Sequence, residues 1–433
     1  MILEKIENYL DEGFSKFHMP GHKGSINFKY DLTEIDNTDD LYDSNGSIKF
    51  SEDLVSKIYG SGVSSFSTQG NTLCIQAMIY LAVPYGGKMI VPSNVHKSVI
   101  NTMGLLNISP IWVNVDSDKN ADTNDIEIQL KNDPDVDAIF ITSPDYFGNI
   151  VDIKKIKSMC GNIPLLVDNS HGSHLIFFDC HPISLGGADL CADSAHKTLP
   201  VLTGGAWLGV GKSFSENNHL YYEDVKNAMQ IFSSTSPSFL TLVSLEQCAL
   251  WLESKGKEEF IRLKEKVDYI KNINPDIFLK NNIVDPVRIT FDMSSIGVSS
   301  EDFVDHLEKF KIKPEFGVDN KVVLIPSPFN SETDWKRLEL ALKNIKAISS
   351  EKKYKKNEEN SMKREFALSI HDAMFSKFDK IDISECCGRI SAQIISKCPP
   401  GIPIVIPGEV ISPSQFELIQ NLNLKSIRVV KND

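Results

Sequence analysis

Between about residues 60 and 215, short apolar runs alternate with segments whose apolar positions recur every three or four residues. "KMIVPS" (88–93), "SPIWVNV" (109–115), "AIFITSPD" (138–145), "IPLLVDNS" (163–170) and "GAWLGVG" (205–211) read as strands. Several are apolar on both faces, as strands covered from both sides must be. "TLCIQAMIYLAV" (72–83) and "DIKKIKSMC" (152–160) carry helical spacing between them. The alternation predicts an α/β domain around a mostly parallel sheet. Such folds bind ligands at the carboxyl ends of their strands. The polar ends Ser93-Asn94-Val95-His96, Ser143-Pro144-Asp145 and Asp168-Asn169-Ser170 are therefore where a site is expected.

A helical stretch (238–273) leads to a second α/β segment at roughly 280–348. The charge run "SSEKKYKKNEENSMKR" (349–364) predicts a solvated helix or linker. Beyond it, Pro and Gly interrupt the strand-like run "CPPGIPIVIPGEVIS" (398–412). The expected division is an N-terminal arm (1–60), a major domain (61–265), a small α/β domain (266–348), a charged linker (349–364) and a C-terminal domain (365–433). No internal repeat is evident.

Composition narrows the function classes. With 433 residues, 41% hydrophobic and 24% charged, the chain has the make-up of a soluble globular protein of two or three domains. A net charge of −13 argues against nucleic acid, whose phosphates need a basic face. The same charge could gather a cationic small molecule, although solubility explains it equally well. The eight cysteines form no C-x-x-C pair and have no histidines at zinc-ligand spacing, so no metal site is expected. They read as reduced cytosolic thiols, with the vicinal Cys386–Cys387 taken as packing. "MILEKIENYLDEGFSKF" reads as an amphipathic helix, not a signal peptide. No apolar run approaches the roughly 20 residues that span a bilayer. A cytoplasmic protein with no membrane partner is expected.

Candidate chemistry centres on "DLCADSAHKTLPVLTGGAWLGVG" (189–211), where Lys197 follows a histidine and precedes Pro, Gly and Gly. A lysine that forms a Schiff base with pyridoxal phosphate needs an acid to keep the pyridinium nitrogen protonated. Asp168 ends an apolar strand 29 residues earlier, and a plain helix cap is the alternative reading of it. The phosphate needs N–H groups and hydroxyls at a helix N-terminus. "SFSTQGNTLCIQAM" (65–78) offers Ser67, Thr68, Gly70, Asn71 and Thr72 there, a weak motif that any N-cap resembles. Ser194 and His196 flank Lys197 and could add contacts. His96, at a strand end, has the type and place to cover the ring's open face, and a structural histidine is the plainer reading.

In that order the segments resemble the ornithine/lysine/arginine decarboxylases, pyridoxal-phosphate enzymes of aspartate-aminotransferase-like fold. "FHMPGHKG" (17–24), "TEIDNTDDLYDSNGSI" (33–48), "VPSNVHKSV" (91–99), "ITSPDYFGNIVDI" (141–153), "VDNSHGSHL" (167–175), "DSAHKTLPVLTGGAWL" (193–208), "SSTSPSF" (233–239) and "PPGIPIVIPGE" (399–409) match the family's signatures in family order. The resemblance spans nearly the whole chain and is weakest around 260–350. It implies a fold type I, pyridoxal-phosphate-dependent transferase-like α/β architecture in a short bacterial form, with smaller C-terminal α/β domains. By the same resemblance Lys197 holds pyridoxal 5'-phosphate covalently, Asp168 holds the pyridinium proton and His96 stacks on the ring. Gly70, Asn71, Thr72, Ser194 and His196 would bind the phosphate, and His171 would lie beside the ring. Thr235 and Ser236 lie in a segment the family donates across a dimer interface, so a homodimer or higher homo-oligomer with shared active sites is implied.

Two positions depart from the family pattern. Thr68-Gln69-Gly70-Asn71-Thr72 replaces a Thr-Asn-Gly-Ser/Thr loop, and Asp168-Asn169-Ser170-His171 replaces Asp-Glu-Ala-His. The reaction the resemblance implies is decarboxylation of a basic L-amino acid, arginine first and then lysine or ornithine, to the amine used in polyamine metabolism. Glu409, at a Pro-Gly bend, is the candidate acid for the substrate's basic end, with a helix-N-terminal acid as the alternative. An aminotransferase or lyase of the same fold would keep an arginine on the substrate carboxylate, for which Arg288 is the candidate. A catalytically silent binding or regulatory subunit is the third reading.

Overall fold

The computed structural model describes residues 15–17, 39–116, 120–281, 283–318, 320–345, 348, 364–396, 401–422 and 424–431. The expected N-terminal helix up to residue 14, most of the 17–24 signature, residues 33–38, the linker through 363 and Pro399-Pro400 lie outside the described residues. Ser15–Lys16 is a short strand that pairs in parallel with Ile312–Lys313, where a helix was expected.

Seven strands form the central sheet: β1 (Ser61–Ser67), β2 (Lys88–Pro92), β3 (Ser109–Val113), β4 (Ala138–Thr142), β5 (Leu165–Asp168), β6 (Leu190–Asp193) and β7 (Ala206–Gly211). Their order is β1-β7-β6-β5-β4-β2-β3, and β7 alone runs against its neighbours. The segment between β6 and β7 carries a single helical turn, Ala195–Thr198, and the chain returns beside β6 in the opposite direction. The mostly parallel sheet read from the sequence is present. The five strands expected from apolar runs all form, and β1 and β6 are added to them.

Strands β4 and β5 are buried along almost their whole length, with Ile139, Phe140, Ile141, Leu165, Leu166 and Val167 at 0% exposure. Each such side chain contributes about 1.5–3 kcal/mol by leaving water. A slip of one residue would turn every side chain to the other face, so this burial on both faces also fixes the register. Thr142 pairs with Asp168, and Asp168 with Ala192. Asp168 is thereby held at the carboxyl edge of the sheet, close to where the strand order reverses between β2 and β4.

Helix α1 (Ser47–Tyr59) packs on β1, and α2 (Asn71–Ala82) lies across β6 and β7 with Leu73, Cys74, Ile75, Met78 and Ile79 buried. Helix α3 (Lys97–Leu105) follows His96. After the sheet, helix α4 (Phe239–Trp251), one π-helical segment (Leu252–Gly256) and α5 (Lys257–Lys271) run on without a break. The division expected after residue 265 therefore falls inside a helix. A three-stranded antiparallel sheet, with Phe316–Val318, Lys321–Leu324 and Ile289–Asp292 in that order, forms the second α/β unit. The described residues between 364 and 431 build two small two-stranded sheets over a core of Ile395, Val405, Ile411, Ile419, Ile427 and Val429. Among the described residues no helix is long and apolar enough to cross a membrane. The described cysteines are all unbonded, with Cys386 buried and Cys387 exposed.

Candidate active site

The carboxyl edge of the sheet gathers the chemistry. Lys197, on the single turn after β6, places Nζ 2.9 Å from His171 Nε2. His171 follows β5 by three residues and is 2% exposed. The Tyr146 ring lies 4.2 Å from the His171 ring and 5.2 Å from Lys197 Nζ, so one aromatic side chain covers both. Arg288 comes from the second α/β unit and donates from Nη2 to the His171 carbonyl at 3.1 Å, with His171 Nδ1 at 3.4 Å. Burial is the first cause that pushes His171 well below the usual imidazole range, and the Arg288 guanidinium adds to it. The ring is neutral at physiological pH.

Asp168 is 3% exposed, and its Oδ1 accepts from the Ser170 backbone N–H at 3.1 Å, from the Ser170 hydroxyl and from Asn71 Nδ2 at 3.3 Å. Oδ2 takes no donor among the described residues. The Asn71 amide also reaches Ser170 Oγ at 2.7 Å and the Ala192 carbonyl at 3.2 Å. The side chain of Asn71 is thus spent on Asp168 and its neighbours, and not on the phosphate expected from the sequence. Asn169 turns the other way: its Nδ2 donates to Asp193 Oδ1 at 2.6 Å, and it is wholly buried. A glutamate there would face a second buried carboxylate, so asparagine suits this neighbour.

Three turns join into one loop cluster. Gly70, at φ +80° and ψ 174°, precedes α2 and donates its N–H to the Gly204 carbonyl at 2.7 Å. That conformation is open to glycine and strained for other residues. His196 meets the Gly205 carbonyl with its N–H and with Nδ1, both at 3.1 Å, and Ser194 Oγ lies 3.4 Å from His196 Nδ1. The turn at 202–205 therefore clasps the 67–71 loop to the 194–197 turn. Gly70's own N–H is used internally, which leaves the first turn of α2, from Asn71 and the exposed Thr72 onward, as the stretch with uncommitted N–H groups. His96 caps α3, its Nδ1 accepting from Ser98 N at 3.2 Å. Burial lowers its proton affinity, Asp168 opposes that, and Lys197 adds to it, so all three groups share one electrostatic neighbourhood. A Cβ on Gly401 would lie 3.1 Å from His96 Cδ2, which puts the C-terminal part of the chain directly against that ring.

Thr235 and Ser236 are exposed and stand outside this cluster, although Gln69 Nε2 donates to nearby Ser233 Oγ at 3.2 Å. Glu409 has a different task from the expected one. It is 0% exposed, and both carboxylate oxygens lie 2.9 Å from Arg364 Nη1. Ile406 N donates to Oε2 at 2.7 Å, and Arg364 continues to the Ser93 and Pro403 carbonyls. An acid so enclosed holds the C-terminal unit to the strand end before His96, and it offers no open face to a substrate. Sequence reasoning missed Tyr146 as a site residue, although it lies in a quoted motif, and placed Ser170 at a site-bearing strand end without giving it a role. The place of Tyr146 just after β4 was the available signal.

The chain is similar to known proteins of one family. Models of the Orn/Lys/Arg decarboxylase major domain and C-terminal domain match residues 2–283 and 348–428. The arginine decarboxylase of Bacillus subtilis is 29% identical over 443 residues, covering 93% of this chain and 89% of that one. The arginine decarboxylase of Bacillus anthracis is 28% identical over 468 residues, covering 96% and 94%. Among solved structures, the lysine decarboxylase of Francisella novicida shares the fold at a TM-score of 0.72 and 18% identity, over 90% of this chain and 73% of that one. With the major-domain match extending over more than half of its residues, the chain belongs to the Orn/Lys/Arg decarboxylase family and is a pyridoxal-phosphate-dependent decarboxylase of a basic amino acid.

Proposed function

We propose that this chain decarboxylates L-arginine to agmatine and CO2, with Lys197 as the residue that binds pyridoxal 5'-phosphate covalently. The observation that carries the site reading is the pairing of Lys197 Nζ with His171 Nε2 at 2.9 Å, beside a buried Asp168. The arrangement around Asp168 supports the cofactor: three donors hold Oδ1, and the undirected Oδ2 suits a pyridinium N–H. The first turn of α2, Ser194 and His196 would hold the phosphate, and His96 would cover the ring. When bound, the cofactor supplies an electron sink for the pair released as the bond between Cα and the carboxylate breaks. Lys197 and His171 stand where a proton is exchanged at the reacting carbon. Arginine as substrate is supported by the names of the Bacillus relatives, each similar over most of its length.

Arg288 bears on the competing aminotransferase reading. That reading needs a guanidinium fork open to the substrate carboxylate. Arg288 is 4% exposed, with Nη2 on the His171 carbonyl and Nε 3.7 Å from Asp285 Oδ2, which favours decarboxylation. The exposure of Thr235 and Ser236 is compatible with their serving a second subunit, so we infer a homo-oligomer that shares its sites, in the cytoplasm.

The test is to incubate holoenzyme separately with arginine, lysine and ornithine and to measure CO2 and amine. Arginine is expected to give the highest kcat/KM, and Lys197→Ala to abolish both turnover and the cofactor's absorbance band. CO2 from lysine or ornithine but not arginine would overturn the substrate assignment. A keto acid formed without CO2 would overturn the reaction.

A further inference from the structure

We propose that Arg288 is a positioning residue that fixes His171 in the tautomer carrying its proton on Nε2, so that the ring presents an N–H to Lys197. The inference rests on the placing of Lys197 and His171 in the site. A guanidinium has five N–H donors, no acceptor, and keeps its proton in proteins. Its Nη2 lies 3.4 Å from His171 Nδ1 and 3.1 Å from the carbonyl of the same residue. A neutral imidazole has one donor and one acceptor nitrogen. His171 is neutral chiefly because it is buried, and the Arg288 guanidinium beside it adds to this. The nitrogen that faces a donor-only group must carry the lone pair, so Nδ1 accepts and the proton resides on Nε2. At 2.9 Å, that N–H donates to Lys197 Nζ.

Several contacts hold the device in place. Asp285 lies 3.7 Å from Arg288 Nε, and its Oδ1 accepts from the Val287 and Arg288 backbone N–H groups and pairs with His174 Nε2 at 2.9 Å. Gly148 permits the approach of the arginine stem, since a Cβ there would come within 2.9 Å of Arg288 Cβ and Cγ. Tyr146 closes one face of the imidazole at 4.2 Å. The consequence for Lys197 is directional. A nitrogen that meets an N–H must offer a lone pair, the form in which a lysine amine attacks an aldehyde. His171 thus acts as an orienting donor, and it cannot serve as the general base that strips Lys197.

The experiment is nitrogen NMR of the full chain, with and without pyridoxal phosphate, using 15N-histidine and His171→Gln to assign the signal. Wild type is expected to show His171 with a protonated Nε2 and an unprotonated Nδ1. Arg288→Met is expected to mix or reverse the tautomers, and to slow covalent attachment of pyridoxal phosphate on the order of tenfold, the scale of one hydrogen bond to a charged group. Arg288→Lys, which retains a cationic donor, is expected to restore the wild-type signal in part. A proton on Nδ1 in wild type overturns the proposal, and that measurement stands even where Arg288→Met fails to fold. An unchanged tautomer in a folded Arg288→Met also overturns it. If none of the three amino acids releases CO2 while the tautomer switches as described, the proposal is supported and only the substrate reading fails.

Discussion

The side-chain amide of Asn71 lies 3.3 Å from the Asp168 carboxylate and 2.7 Å from Ser170 Oγ, tying the start of α2 to the end of β5. The amide donates to the carboxylate without bringing a charge of its own. Asn71→Asp would set a second carboxylate beside the first, and the two like charges would repel. Cofactor affinity, measured by titrating the cofactor into protein freed of it, is expected to fall about tenfold to a hundredfold in Asn71→Asp. Asn71→Ala is expected to fall less, because it removes a donor without adding charge. Equal affinity in Asn71→Asp and wild type would mean that Asp168 does not carry the pyridinium.

Gly70 holds φ +80° with ψ 174°, and a Cβ on it would meet no heavy atom within 4 Å. The cost of Gly70→Ala is therefore one of backbone strain alone, about 1–3 kcal/mol. Relief would require breaking the hydrogen bond from its N–H to Gly204, which clasps the loop to the Lys197 turn. A lower Tm together with weaker cofactor retention is the expected result, seen by thermal melts with and without cofactor. A melt shifted equally in both forms would confine the glycine to a structural part.

Much of this arrangement was legible because strand ends are legible. Asp168 and His96 stand where apolar runs meet polar residues, and Lys197 sits in a motif whose order along the chain narrows its meaning. Strand β1, "SGVSSFS", was not read because serines hide the period, yet Ser64, Ser65 and Ser67 are all buried. Strand β6, "LCAD", is only four residues long and exists through pairing with β5 and β7. What Asn71 and Glu409 bond to depends on distances between elements far apart in sequence. Arg364 lies 45 residues before Glu409 in the chain and meets it only in the fold. No local pattern encodes such a pair.

Arg364 and Glu409 yield a prediction that separates a structural acid from a substrate contact. Removing one partner of a buried pair costs about 3–5 kcal/mol, because the other charge is stranded. Arg364→Met leaves a fully buried carboxylate with the Ile406 N–H and Gln415 Nε2, while Glu409→Gln leaves an arginine that keeps the Ser93 and Pro403 carbonyls and lies over the Trp112 ring. Urea unfolding is expected to show a larger loss for Arg364→Met than for Glu409→Gln. A Glu409→Gln variant with unchanged stability and a much raised KM for arginine would return Glu409 to the substrate.

Two aspartates, Asp285 buried and Asp145 half-buried, set opposite slopes of stability against pH. Burial pushes the Asp145 carboxyl up to about 6, beyond what its bonds to the Asn149 and Phe147 N–H groups restore. Its folded form binds a proton more tightly than the unfolded form, whose carboxyl has the ordinary value near 3.8. This group therefore adds stability as pH falls from about 6 to about 4. For Asp285, burial pushes upward, but His174, Arg288 and the Val287 N–H together hold the carboxyl at about 2. Its stabilisation is present above the ordinary carboxylate range and is lost as pH falls from about 4 to about 2, a change of about 2 kcal/mol. Denaturant titrations at closely spaced pH are expected to show Asp145→Asn flattening the upper window and Asp285→Asn flattening the lower one. Asp285→Asn should also cost stability at neutral pH, where the wild-type carboxylate is ionised. A steeper acid limb in Asp285→Asn than in wild type would reverse the assigned sign, and would place the acid sensitivity of the chain on other carboxylates.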